Sequence, residues 1–98
     1  MDYKIIFSEP AIDDLKDIVS FIAEDNPEAA AKFGGKLLES VRHLATFPRF
    51  GRVVPELNDA NIREIIFKPY RIFYRVKDEA QAVEIIRFWH AARGEPEI

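Results

Sequence analysis

The chain has 98 residues, with 14 basic and 17 acidic side chains, a net charge of −3 and no cysteine. This length suits one domain, residues 1–98, around a single core, and the missing thiols exclude a disulfide framework, a thiolate metal site and a cysteine nucleophile. No apolar run approaches the roughly 18 residues of a membrane span and the N-terminus lacks the form of a signal peptide, so a soluble cytoplasmic protein without a membrane partner is expected.

The charge is unevenly spread. Residues 1–46 hold five basic and nine acidic side chains, whereas residues 49–77 hold seven basic and three acidic ones. Local positive charge on an acidic chain suits one confined anionic contact better than general adhesion to nucleic acid.

Tyr3-Lys4-Ile5-Ile6-Phe7 is β-branched and aromatic and reads as a strand. Ser8 is placed to cap a helix with Glu9 and Pro10 in its first turn, where a missing N–H costs little. Ile12, Leu15, Ile18, Val19 and Ile22 recur at helical spacing, so this helix should end near Asp25. Asn26-Pro27 then stops one helix and starts another, about 20 residues long, with Ala30, Phe33, Leu37, Val41 and Leu44 on one stripe. So short a connection makes the pair an antiparallel hairpin. Gly34-Gly35 interrupts the second helix at about 1 kcal/mol per glycine, and either a close helix approach, a kink or simple tolerance accounts for it.

Phe47-Pro48 ends the hairpin, and residues 48–61 read as a loop. Three strands are expected over residues 62–68, 70–77 and 82–89, separated by tight turns. Along the middle one, Ile72, Tyr74 and Val76 should pack beneath the hairpin, leaving Arg71, Phe73, Arg75 and Lys77 on the opposite, open face. The fold class is therefore α+β: an N-terminal strand, a two-helix hairpin, then three antiparallel strands in one small sheet.

Chemistry is sparse. Ser40 and His43 lie three apart on the second helix without a nucleophile motif, so they read as a solvated helix face. Two distant histidines make no metal cluster, and no cofactor is implied. The aromatics Phe67, Tyr70, Phe73, Tyr74, Phe88 and Trp89 could stack bases on an exposed sheet, but their alternation fits a core better. The arginines Arg63, Arg71, Arg75 and Arg87 fall on adjacent strands, where cross-strand neighbours lie about 5 Å apart. Either Glu56, Glu64 and Glu84 neutralise them, or they form an anion-facing surface with His90 as a proton donor or acceptor. A nuclease of that kind needs a base, an acid and cations at the transferring phosphoryl, roles that Glu56, His90 and Arg71 could fill in principle.

Order and spacing carry a resemblance. Asp14-Leu15, Ile18 and Ile22-Ala23 precede Asn26-Pro27-Glu28-Ala29-Ala30. Gly51-Arg52, Pro55-Glu56-Leu57, Ile62-Arg63-Glu64, Tyr70-Arg71-Ile72, Tyr74-Arg75-Val76 and His90-Ala91-Ala92-Arg93 follow. Over nearly its whole length the chain resembles the RelE/ParE superfamily of toxins from type II toxin–antitoxin modules. The resemblance implies a helical hairpin on a small antiparallel sheet and a cognate antitoxin that binds and neutralises the toxin in a hetero-oligomer. It also implies one of two activities. RelE-like members cut mRNA on the ribosome, which here would use Glu56, Arg63, Arg71 and His90 without a metal. ParE-like members inhibit DNA gyrase and cut no RNA, with Arg52, Arg75, Arg87, Trp89 and Arg93 as target- or antitoxin-binding residues. Acidic balance, the Asn-Pro hinge and the His-Ala-Ala-Arg ending favour the ParE-like reading; an inactive homologue is the third.

Overall fold

The computed structural model describes residues 2–98. Its elements are strand β1 (Lys4–Phe7), helices α1 (Glu9–Asp25) and α2 (Pro27–Arg42), a 3-10 turn (His43–Ala45), and strands β2 (Arg52–Val53), β3 (Ile62–Phe67), β4 (Tyr70–Lys77) and β5 (Ala82–His90). A last 3-10 turn covers Ala91–Arg93. No helix is long and apolar enough to cross a membrane among the described residues.

Both helix starts are set by local chemistry. The Ser8 hydroxyl accepts the Ala11 N–H at 3.1 Å, and the Asn26 side chain accepts the Ala29 N–H at 3.1 Å, each satisfying a first-turn donor that the helix itself leaves unpaired. Asn26 is also the C-cap of α1, so one residue joins the helices. A Cβ on Gly34 would lie 3.3 Å from Val19 Cγ2, whereas one on Gly35 would meet nothing within 4 Å. Gly34 thus marks a close helix approach and Gly35 is merely tolerated.

The sheet has five strands in the order β1-β5-β4-β3-β2. The expected antiparallel strands are its centre, but β1 runs parallel to β5, with Ile5 opposite Val83, which makes the sheet mixed. The stretch expected to be loop contains the short β2, paired with β3 so that Arg52 faces Glu64. β5 carries a bulge: Ile85 lies opposite Tyr74 and Arg87 opposite Phe73, leaving Ile86 extra. The bulge places Ile86 and Arg87 toward the same side and resets the alternation that a regular strand would keep.

Residues opposite each other in register share a face. The helix-covered face buries Leu37, Val41 and Leu44 from the helical half against Ile72, Tyr74, Val83, Ile85 and Phe88. The other face was expected to be open, and it is not. Val54, Ile62, Phe73 and Trp89 form a second buried cluster there, with Leu57 and Ile86 packed against it. The chain leaving β2 folds back over Phe73, since apolar side chains on both sides of the sheet must be removed from water. Gly51 lets it approach: a Cβ would lie 2.4 Å from the Glu64 carbonyl oxygen and 2.7 Å from the Tyr74 hydroxyl.

Candidate functional site

Arg71 and Glu64 sit on this second face. Glu64 is on β3, opposite Phe73, and its side chain is fully buried. An ionised carboxylate so placed must be compensated, and two arginines do so. Arg71 Nε donates to Glu64 Oε1 at 2.6 Å, and Arg52 Nε donates to Oε2 at 2.8 Å. The far edge of Arg71 donates from Nη1 and Nη2 to the two oxygens of Glu56 at 2.8 and 2.9 Å. Its guanidinium also lies 4.8 Å from the Phe73 ring centre, a favourable contact of a cation with a ring face.

The consequences for ionisation follow. Hydrogen bonding from Arg71 holds the Glu56 carboxyl at about 2, well below its ordinary value, and the two carboxylates push the Arg71 guanidinium still further toward its charged form. A carboxylate so weakly basic and doubly hydrogen-bonded is a poor general base. Beside the pair runs a groove of about 640 Å³, lined by Arg52, Glu56, Ile66, Lys68, Tyr70 and Arg71 among others.

The remaining arginines are also engaged. Arg75 and Lys77 reach Glu84 at 3.3 and 3.4 Å. Arg87 forms a two-point pair with Asp14 of α1 at 2.7 and 2.9 Å, and the same carboxylate accepts the Phe88 N–H at 3.0 Å, capping β5 beyond the last β1 pair. The Trp89 ring is contacted by the guanidiniums of Arg87, 5.1 Å from its centre, and Arg93, 4.0 Å away, while its Nε1 donates to the Gly94 carbonyl at 3.2 Å. The C-terminal turn is thereby clamped to the sheet.

Arg63 and His90 do not join this group. Arg63 is opposite Tyr74 and therefore on the helix side of the sheet, where it donates to the Gly51 carbonyl at 2.9 Å and its Nε is buried without a hydrogen-bond partner. His90 is opposite Tyr70, again on the helix side, with its Nδ1 accepting the Ala92 N–H at 3.1 Å and its ring 5.3 Å from that of Tyr70. Of the four residues expected to act together in a nuclease, only Glu56 and Arg71 meet. The anion-facing row expected from Arg63, Arg71, Arg75 and Arg87 is likewise corrected: Arg63 is on the far side, and carboxylates neutralise the other three. Asp14 was missed, because nothing local ties it to an arginine 73 positions away. Glu64 was visible only as a neutralising acid, because its place between Arg52 and Arg71 depends on β2, which forms in the stretch read as a loop.

Among the described residues no group of three or more His, Asp or Glu side chains is arranged to hold a metal ion. The assembled chemistry is a set of guanidinium–carboxylate pairs, of which Arg71 with Glu56 borders the groove.

Residues 5–94 match the model of the ParE toxin of the type II toxin–antitoxin system parDE. The chain belongs to the ParE toxin family. No curated sequence relative matches it significantly. Among solved structures it is similar to a chromosomal ParDE toxin–antitoxin system from P. aeruginosa, at 22% identity and TM-score 0.73, over 90% of this chain and 95% of that one. It is also similar to the RelBE2 toxin–antitoxin complex from Mycobacterium tuberculosis, at 25% identity and TM-score 0.67, over 92% and 99%. The isolated E. coli RelE toxin shares the fold as well, at 22% identity and TM-score 0.68, over 95% and 88%. The ParE-family assignment thus rests on the sequence match, and the neighbours establish the RelE/ParE-like fold.

Proposed function

We propose that this ParE-family toxin acts as one domain in the cytoplasm, arrests growth by binding DNA gyrase, and is neutralised by an antitoxin encoded beside it. One observation supports binding over catalysis: the residues that a ribosome-dependent nuclease would need lie on opposite faces of the sheet, with Glu56 and Arg71 on one and Arg63 and His90 on the other. A proton donor and acceptor must both reach the same reacting group, and side chains that leave a sheet on opposite faces are poorly placed to do so. A binding inhibitor needs only a rigid surface, which Arg87 and Arg93, both held against the Trp89 ring, offer at the C-terminal end. The two ParDE and RelBE2 neighbours are toxin–antitoxin assemblies, which supports an antitoxin as partner here.

The deciding experiment is a gyrase supercoiling assay beside primer extension on mRNA under translation, both with the purified chain. Supercoiling should stop while the mRNA stays intact, and Arg93→Ala should weaken the inhibition. Cleaved mRNA with gyrase unaffected would establish the nuclease reading instead. Activity in neither assay would mark an inactive homologue.

A further inference from the structure

Arg71 is held from two sides that differ in kind. On the Nε side is Glu64, wholly buried and shared with Arg52. On the Nη side is Glu56, whose side chain is 29% exposed and comes from the irregular stretch between β2 and β3. The first contact is part of the core. The second is a planar carboxylate seated on a planar guanidinium edge, the two-point geometry by which arginine recognises carboxylates generally, and it opens onto the groove that Arg52 and Lys68 also line.

We propose that this groove is a receptor for a peptide carboxylate flanked by apolar side chains, and that Glu56 is the internal group that occupies it until a partner arrives. The proposal deepens the antitoxin reading above, on which the source of the peptide rests. Three features select this ligand. The group already bound is a carboxylate, so replacing it by another keeps the same planar, singly charged acceptor on the Nη edge of Arg71. Beside Arg52 and Lys68 the groove has apolar walls, with Pro55, Ile66, Pro69 and Ala91 in them and Ile66 53% exposed. Burying such a surface favours a neighbouring aliphatic side chain over a sugar–phosphate backbone. Finally, Glu56 can leave without stranding a buried charge, because Glu64 stays on Arg71.

An internal competitor lowers apparent affinity by the fraction of time the site is open; a group seated nine-tenths of the time costs about tenfold. The test titrates the full chain with acetyl-Leu-Glu-Leu-amide, with its Gln counterpart and with inorganic phosphate, following the Arg71 Nε–H resonance by NMR. The Glu peptide should move that resonance and the Gln peptide should not. Glu56→Gln should bind the Glu peptide about tenfold more tightly than the wild type. Glu79→Gln, which makes the same charge change on the exposed turn between β4 and β5, should leave the affinity unaltered. Equal affinity in wild type and Glu56→Gln, the same gain in Glu79→Gln, or phosphate acting at lower concentration than the Glu peptide would each overturn the proposal. If Glu56→Gln fails to fold, Glu56→Asp keeps the charge but shortens its reach, and an affinity no better than wild type then overturns it. Neither gyrase nor antitoxin enters the titration, so its failure is separable from failure of the proposed function.

Discussion

Both faces of the sheet remove aromatic and aliphatic side chains from water, the helix side far more of them, and they finish their edges differently. On the helix side Leu37, Val41 and Leu44 cover Ile72, Tyr74 and Ile85, and polar closure comes from neutral partners, such as the Gly51 N–H donating to the Tyr74 hydroxyl at 2.9 Å. On the other side four buried side chains, Val54, Ile62, Phe73 and Trp89, are rimmed by Arg71 with Glu56 and Glu64, by Arg75 with Glu84 and by Arg87 with Asp14. A small cluster has too little apolar area to seal itself, so guanidiniums stacked on Phe73 and Trp89 complete the cover while their charged edges meet carboxylates. The difference teaches that arginines on a strand need not announce an open surface. They can be the lid of a second core, with function left to whichever pair reaches solvent.

The comparison breaks first at Phe73. If the second cluster is a true core, Phe73→Ala should cost about 3–5 kcal/mol by urea unfolding, of the same order as Leu37→Ala on the helix side at about 2–5 kcal/mol. A loss below about 1 kcal/mol would be a surface effect and would reduce the second face to a decorated exterior. Glu64→Ala comes next, at about 3 kcal/mol, because it leaves the Nε of Arg71 without its buried partner. That loss should survive added salt, since buried pairs are weakly screened. By contrast the Arg49–Asp78 pair, about half exposed on both sides, should lose most of its effect in salt.

Acid sharpens the contrast further. Glu56 and Asp78 are both held at about 2 by hydrogen bonds, first from Arg71 and first from Arg49 respectively, against ordinary values of 4.5 and 3.8. Between those limits the unfolded chain binds more protons than the folded one, so stability must fall as pH drops. Each contribution is complete above the ordinary value and gone once pH passes below about 2. Urea midpoints of wild type and Glu56→Gln should therefore differ by a constant amount above about pH 5 and converge toward pH 2. A pH-independent difference would mean that Glu56 matters by shape rather than by charge.

How much of this was legible depended on the range of each determinant. Ser8, Asn26-Pro27 and the limits of β3, β4 and β5 are encoded within a turn or a few alternating residues, and they came out close to the observed bounds. The face of Arg63 was not legible, because side-chain parity carries across strands only once the register is known, and nothing local fixes Arg63 opposite Tyr74. The bulge at Ile86 defeats alternation for the same reason. The parallel seating of β1 on β5, the fold-back over Phe73 and the Asp14–Arg87 pair all join segments far apart in the chain, so only the closed fold reveals them. For the candidate site, the sequence held the Glu56 and Arg71 chemistry but not the sidedness that separates both from His90.

The smallest expected effect tests the helix side at the glycine pair. In a helix interior glycine is worse than alanine by about 1 kcal/mol, through backbone entropy lost on folding. Gly35→Ala should recover most of that, because its new methyl meets no atom within 4 Å. Gly34→Ala gains the same entropy but sets its methyl 3.3 Å from Val19 Cγ2, so α1 and α2 must part by a few tenths of an ångström or Val19 must give way. The ordering expected in thermal unfolding is Gly35→Ala above wild type by a few degrees, with Gly34→Ala gaining less. Equal gains would show that the helices are not in close contact there, and that the hairpin covers its face of the sheet more loosely than the second cluster covers the other.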